Sequence, residues 1–320
     1  MNSITIPVGI DVSKDTLDVF IDRVSGRKRM KVSNDEEGVR QILCELEVGT
    51  YKVAMEATGR YEVLARRMLE EAGLAVSSLN PRLARHMAIG FGVEAKTDPI
   101  DAEILARLAT VCKPTDPRSQ LRESLGDTSR TVSTLILERS GHKKRLQSPG
   151  FHPQVAQSLE VIIAVLDTEI ARLEKLFVVE VRKSELAERY KLAQTVPGVG
   201  PAMARVLTSE LPEDLSRYTT RQICSYAGLT PVDNASGKSI RKSKLKAHGN
   251  MFIKAATYMP AVSLLACDPK AMELYRRSIA QGREHQQALV PVMHRLLRRA
   301  AAVIKRGSPW RSDPPATTLT

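Results

Sequence analysis

A chain of 320 residues, 42% of them apolar, is long enough for two or three domains with a buried core. Its 48 Lys and Arg against 36 Asp and Glu leave a net charge of +12, which favours polyanionic partners. No run approaches the roughly 18 apolar residues of a membrane span, and Met1 to Pro7 carries no basic stretch ahead of an apolar one, so no membrane partner and no signal peptide are expected and nucleic acid is the preferred partner.

In chain order, Ile6, Val8 and Ile10 alternate ahead of Asp11, residues 16–21 read as a second strand and 27–32 as a third. A helix is predicted over 36–46. Val53 and Met55 alternate ahead of Glu56, a helix follows over 61–72 with Gly73 as its stop, and 74–79 is a further strand. Leading strands followed by strand–helix alternation predict a mixed sheet flanked by helices, an α/β domain over 1–115. Lys113-Pro114-Thr115-Asp116-Pro117 marks a boundary. A helical middle segment over 118–188 follows. Residues 121–146 form one helix, and after Ser148-Pro149-Gly150 the residues Val155, Leu159, Ile162, Leu166, Ile170, Leu173 and Phe177 make an amphipathic stripe. The pair suits either a helical hairpin or a two-chain coiled coil. A mostly helical domain is predicted over 189–307, and the Pro-, Ser- and Thr-rich tail over 308–320 as disordered. Cys44, Cys112, Cys224 and Cys267 lie far apart with no CxxC pair, which fits reduced thiols better than zinc or disulfides.

Four acids stand at element ends. Asp11 closes the first strand, Glu56 closes another, and Asp98 and Asp101 open a helix in Lys96-Thr97-Asp98-Pro99-Ile100-Asp101. Strands ending at one sheet edge bring Asp11 and Glu56 together, and an i, i+3 pair shares a helix face. Grouped carboxylates repel unless hard cations neutralise them; Mg²⁺ prefers such oxygens and also binds phosphate. Two such ions clamp the attacking and leaving oxygens of a phosphodiester. Asp98 ahead of Pro99 is also a good N-cap with Asp101 at N3, a role compatible with metal binding.

In the C-terminal part, Thr195-Val196-Pro197-Gly198-Val199-Gly200-Pro201 has the form of a helix-hairpin-helix turn. Gly198 and Gly200 would let backbone amides approach a phosphate at the next helix's N-terminus. Ser236 lies in a polar stretch followed by Lys238, Arg241, Lys242, Lys244, Lys246 and Lys254, with no acid between Asp233 and Asp268. This run suits nucleic-acid backbones. A serine beside it could attack a phosphodiester, and chemistry alone leaves Ser236, Ser239 and Ser243 equal. His248 reads as a helix-start residue beside a turn.

The ordered set of motifs resembles the DEDD transposases of the IS-one-ten insertion sequences, relatives of the Piv DNA invertases. Gly9-Ile10-Asp11-Val12-Ser13-Lys14, Met55-Glu56-Ala57-Thr58-Gly59 and Lys96 to Ala102 match the acidic domain. Pro197-Gly198-Val199-Gly200, Gly228-Leu229-Thr230-Pro231, Ser236-Gly237, Gly249-Asn250 and Tyr258-Met259-Pro260-Ala261 match the C-terminal domain. The resemblance implies a RuvC-like (RNase H-like) N-terminal domain with Asp11, Glu56, Asp98 and Asp101 as Mg²⁺-binding catalytic acids. It selects Ser236 as the catalytic serine, joined to a 5′ phosphate. It implies donor and target DNA as substrates, a non-coding bridge RNA as guide, and a homo-oligomer, dimer or tetramer, whose composite site takes acids from one subunit and serine from another. The expected location is the bacterial cytoplasm, at the nucleoid. Lys242 stands where some members have glycine, and Arg60 where a smaller residue is common.

Three functions compete: an RNA-guided recombinase using Ser236; a RuvC-like metal-dependent nuclease, or an invertase without an RNA guide; and a basic packaging protein that needs neither acids nor serine.

Overall fold

The computed structural model describes residues 5–57, 59–92, 98–115, 119–233, 243–245 and 249–311. It divides into two compact units, residues 1–118 and 119–320.

The first unit holds a five-stranded sheet. Its strands are β1 (Ile6–Val12), β2 (Thr16–Arg23), β3 (Gly26–Ser33), β4 (Tyr51–Glu56) and β5 (Ala75–Leu79), in the order β3-β2-β1-β4-β5. β1 pairs antiparallel with β2 and parallel with β4, and β4 pairs parallel with β5, so the sheet is mixed as the sequence predicts. The period-two alternation sorts β1 onto two faces. Val8, Ile10 and Val12 join the core beneath α1 (Glu36–Leu43) and α2 (Val63–Glu71), with Val39, Ile42, Ala65 and Leu69. The odd positions face α4 (Asp98–Val111) instead, and they are small where the helix lies closest. A Cβ at Gly9 would stand 1.9 Å from the Ala102 carbonyl oxygen and 2.3 Å from the Ala106 nitrogen, so β1 and α4 meet backbone to backbone. Ala54 packs with Ile104, Leu105 and Leu108, and Phe20 with Ala102 and Ala106. α3 (Pro81–Gly90) follows β5, with Pro at its first position, where a missing amide costs nothing. Helix α1 ends three residues short of the predicted 46, in a turn where Glu45 and Leu46 donate to the Ile42 and Leu43 carbonyls.

The second unit is mainly helical. Long helices α5 (Gln120–Leu146) and α6 (Pro153–Arg182) pack on one another as a hairpin. Leu125 of α5 and Phe177 and Val181 of α6 enter one core with α7 (Ala187–Gln194), α8 (Pro201–Glu210), α9 (Thr220–Tyr226), α10 (Met251–Cys267), α11 (Pro269–Ala280) and α12 (His285–Arg306). The Trp310 amide donates to Thr195 Oγ1 at 2.9 Å and Arg299 stacks 5.0 Å over its ring, because an indole gains more against a cation and the core than in water. Residues 312–320 lie outside the described part. A short antiparallel ladder, β6 (Pro231–Asp233) with β7 (Ser243–Leu245), stands where the sequence suggests only loop. Three-residue strands between polar residues carry too little alternation to be read.

Candidate active site

The parallel pairing of β1 with β4 runs in the register Gly9↔Ala54 and Ile10↔Met55. One further step sets Asp11 beside Glu56, at the carboxyl ends of adjacent strands. Ligands of open α/β sheets gather at such ends. Both acids share the α4 face with Gly9 and Ala54, and both are half-buried. Past Glu56 the chain turns sharply, with Gly59 and Arg60 at φ +58° and +79°; Arg60 is the only non-glycine with positive φ among the described residues. Asp101 lies one turn before Leu105 on α4. Glu56 and Asp101 line one cavity of about 380 Å³, together with Arg85 and His86 of α3 and an apolar floor that includes Ala84 and Leu105. The backbone of Asp98 opens α4 as predicted; its side chain lies outside the described residues.

The acids at this edge offer carboxylate oxygens, hard donors of the kind that Mg²⁺ prefers, and His86 adds an imidazole to the cavity lining. Asp11, Glu56 and Asp101 come to this edge from three elements. Among the described residues no group of three or more His, Cys, Asp or Glu is close enough to hold an ion by itself, and Asp98 is not among the side chains that this covers.

Three groups missed in the sequence also face this site. Asp18 of β2 pairs with Asp11 across the antiparallel ladder, and Lys31 of β3 pairs with Asp18 in turn, their side chains 3.0 Å apart. Lys31, Asp18, Asp11 and Glu56 thus form a row across four strands, each step about 5 Å. The tight Ser13 to Thr16 turn, in which the Ser13 amide donates to the Thr16 carbonyl, carried the signal, since it fixes the register. Arg85 follows from a helix register that needs α3, which the sequence reading stopped short of at Asn80-Pro81.

Ser236, Lys238, Arg241, Lys242, Lys246 and His248 lie outside the described residues, and Lys244 is described by its backbone in β7 alone. The anchors of their segment are described. At its start, α9 ends in a glycine cap: Gly228, at φ +71°, donates to the Ser225 carbonyl, and Leu229 donates to that of Cys224. At its end, a Cβ on Gly249 would lie 2.4 Å from the Gly228 backbone, so only glycines let the chain on the two sides of the segment meet backbone to backbone. Asn250 then caps α10 by accepting from Phe252 and Ile253, while its own amide donates to the Tyr226 carbonyl at 2.7 Å. Its Nδ2 donates to Glu210 Oε2 at 2.6 Å; Glu210, 1% exposed, also accepts from Arg130 Nε of α5 at 2.7 Å. This carboxylate clamp joins α5, α8 and the base of the serine-bearing segment.

The turn between α7 and α8 has Gly198 at φ +91° and Gly200 at the N-cap of α8, both exposed. Amides at such a helix start favour an anion. Lys254 sits half-buried on α10, one turn past Asn250. No helix among the described residues is long and apolar enough to cross a membrane.

Two family models match. One, a DEDD transposase of IS110 type, covers residues 8–149; the other, described as transposase IS116/IS110/IS902 family, covers 190–276. The chain is 27% identical to the pilin gene-inverting protein of Moraxella bovis, over 95% of its own length and 97% of that protein. The Moraxella lacunata protein of the same name matches equally, with the same identity and coverage. An uncharacterised 43.6 kDa protein of insertion element IS110 from Streptomyces coelicolor is 23% identical, over 97% of this chain and 96% of its own.

Proposed function

This chain belongs to the IS110 family of DEDD transposases, enzymes that cleave and rejoin DNA, and we propose that it exchanges strands through Asp11, Glu56, Asp98, Asp101 and Ser236. The observation that carries this reading is the meeting of Glu56 and Asp101 in one cavity, beside the strand end that bears Asp11. The four acids would hold Mg²⁺, which supplies charge neutralisation and alignment at the scissile phosphate.

The remaining chemistry belongs to the chain. The Ser236 oxygen bonds phosphorus as the bond to the 3′ oxygen breaks, and the serine proton ends on that oxygen. The 5′-phosphoserine link conserves phosphodiester energy, so a second strand's 3′ hydroxyl reverses the step without ATP. Lys238, Arg241, Lys242, Lys244, Lys246 and Lys254 neutralise backbone phosphates, and Gly198 and Gly200 offer amides to another. The acids stand in one compact unit and the serine-bearing segment in the other, an arrangement that suits a site shared between subunits of a homo-oligomer.

A bridge RNA pairing with donor and target DNA is the guide in this reading. The full-length match to the pilin gene-inverting proteins favours a second reading, inversion without a guide. Sequencing RNA that co-purifies with the protein, and repeating exchange after ribonuclease treatment, separates the two. A single abundant RNA whose loss stops exchange supports the guided reading; exchange that survives the nuclease supports inversion. Asp11→Asn and Asp101→Asn are expected to abolish exchange with the fold intact, and normal rates in the purified variants overturn the acid site.

A further inference from the structure

We propose that Arg85 of α3 is a phosphate-binding residue of the acid cavity, gripping the non-bridging oxygens of the strand being cut; this rests on the reading of that cavity as the site of DNA cleavage. The first ground is helical register. Pro81, Ala84, Arg85 and Ala88 recur at i, i+3, i+4 and i+7, one face of α3, and all four line the cavity. Ala84 and Ala88 are buried, packing with Leu105 and Leu108 of α4. On such a face an apolar residue would extend the packing. The half-buried Arg85 is the one long cationic side chain in the stripe, so its head reaches the cavity that Glu56 and Asp101 also line.

The second ground is charge. The Glu56 and Asp101 carboxylates of the lining repel a phosphodiester. Divalent cations offset the acids, but the phosphate keeps its own negative charge and gains more as the leaving oxygen separates. A guanidinium lining the same cavity supplies the counter-charge, with a planar fork that matches two phosphate oxygens, which a lysine lacks. The third ground is shape. A cavity of about 380 Å³ with a floor of Ala84, Ala88, Ile104 and Leu105 accepts an apolar sugar face below a charged rim. That is the chemistry of one nucleotide within a strand, and the volume falls in the range of small-molecule sites, roughly 300–1,000 Å³.

The test uses the full-length protein and its Arg85→Gln, Arg85→Lys and Asp101→Asn variants, with Arg40→Gln, on the exposed surface of α1, as control. Binding of a fluorescent single-stranded oligonucleotide is measured in EDTA at rising KCl, which reads phosphate contact without metal or turnover. Arg85→Gln is expected to flatten the log–log salt slope by about 0.7, the loss of one single-strand contact. With Mg²⁺, cleavage by Arg85→Gln should fall about 10²–10³-fold, the loss typical of one preorganised donor to developing charge. Arg85→Lys should regain the slope and not the rate, and Arg40→Gln should match the wild type in both. An unchanged slope and rate in Arg85→Gln, with Asp101→Asn inactive, overturns the role of Arg85 alone. If Asp101→Asn also cleaves normally, the acid cavity itself is not the site of cleavage.

Discussion

The acid edge of the sheet and the anchors on either side of the Ser236-bearing segment are held in place by different means. Asp11, Glu56 and Asp101 are placed by regular elements: two parallel strands in register and a helix pressed onto them through Gly9 and Ala54. The residues that flank the serine segment are joined by a glycine-on-glycine crossing and a buried carboxylate clamp that reaches α5, 80 residues away in sequence from Glu210. Periodicity governs the first arrangement and a few long-range polar contacts govern the second, so they break differently.

The largest effect is expected at the clamp. Glu210→Ala leaves Arg130 with only its longer contact to Asp127, at 3.8 Å, and Asn250 Nδ2 without its acceptor, which should cost about 3 kcal/mol. Denaturant midpoints measure the loss, and hydrogen exchange should show α8 and the start of α10 losing protection while β1 and α4 keep theirs. Uniform loss across both units would contradict the separation. Next comes Gly9→Ala, which drives a methyl group into the Ala102 carbonyl and should cost about 2 kcal/mol, with protection falling in β1 and α4 and holding in α8. A neutral Gly9→Ala would mean that α4 does not rest on the strand's backbone.

These two variants also mark what the sequence made legible. Alternation in β1 and β4 and the Asp-Pro start of α4 identified the strand ends and the helix that bear the acids, because local pattern decides local structure. The close approach at Gly9 was invisible, since nothing within β1 says which helix will cover it. Lys31 and Arg85 escaped because each reaches this edge through pairing or packing with another element, whereas the Ser13 to Thr16 turn already set Asp18 beside Asp11. In the second unit the residue types of the Gly249-Asn250 pair were read correctly as a motif, but the partners that give it meaning, Gly228 and Glu210, lie far off in sequence. The β6–β7 ladder was too short to carry a period, and Trp310 was lost in a stretch whose composition reads as tail.

The smallest effect sharpens the second region's reliance on distant charges. Asp268 caps α11 through the Lys270 and Ala271 amides and accepts from Arg299 at 2.6 Å. Burial pushes its carboxyl up, but Arg299, the Ala271 amide and Arg295 outweigh that and hold it below the ordinary carboxylate range. A carboxyl whose folded value is depressed stabilises the fold above its unfolded value, about 3.9, and loses that contribution as pH falls through the folded one. Asp268→Asn keeps a capping oxygen and loses the charge. It should be less stable than the wild type by about 1 kcal/mol at neutral pH, and the gap should close below about pH 4. A gap that persists in acid would assign the loss to the cap and not to the ion pairs.

The central claim is that the two regions serve one reaction, with the acids aligning a phosphate that Ser236 takes up. Its most direct measurement is a denaturing gel of protein incubated with Mg²⁺, labelled donor and target DNA and the RNA that co-purifies with it. The wild type should give a protein–DNA adduct, with DNA joined to the peptide that contains Ser236. Asp101→Asn and Ser236→Ala should bind the nucleic acids and give none. Strand exchange by Ser236→Ala, or cut DNA with free 5′ phosphates and no adduct from the wild type, would contradict the account and leave a metal-dependent nuclease in its place.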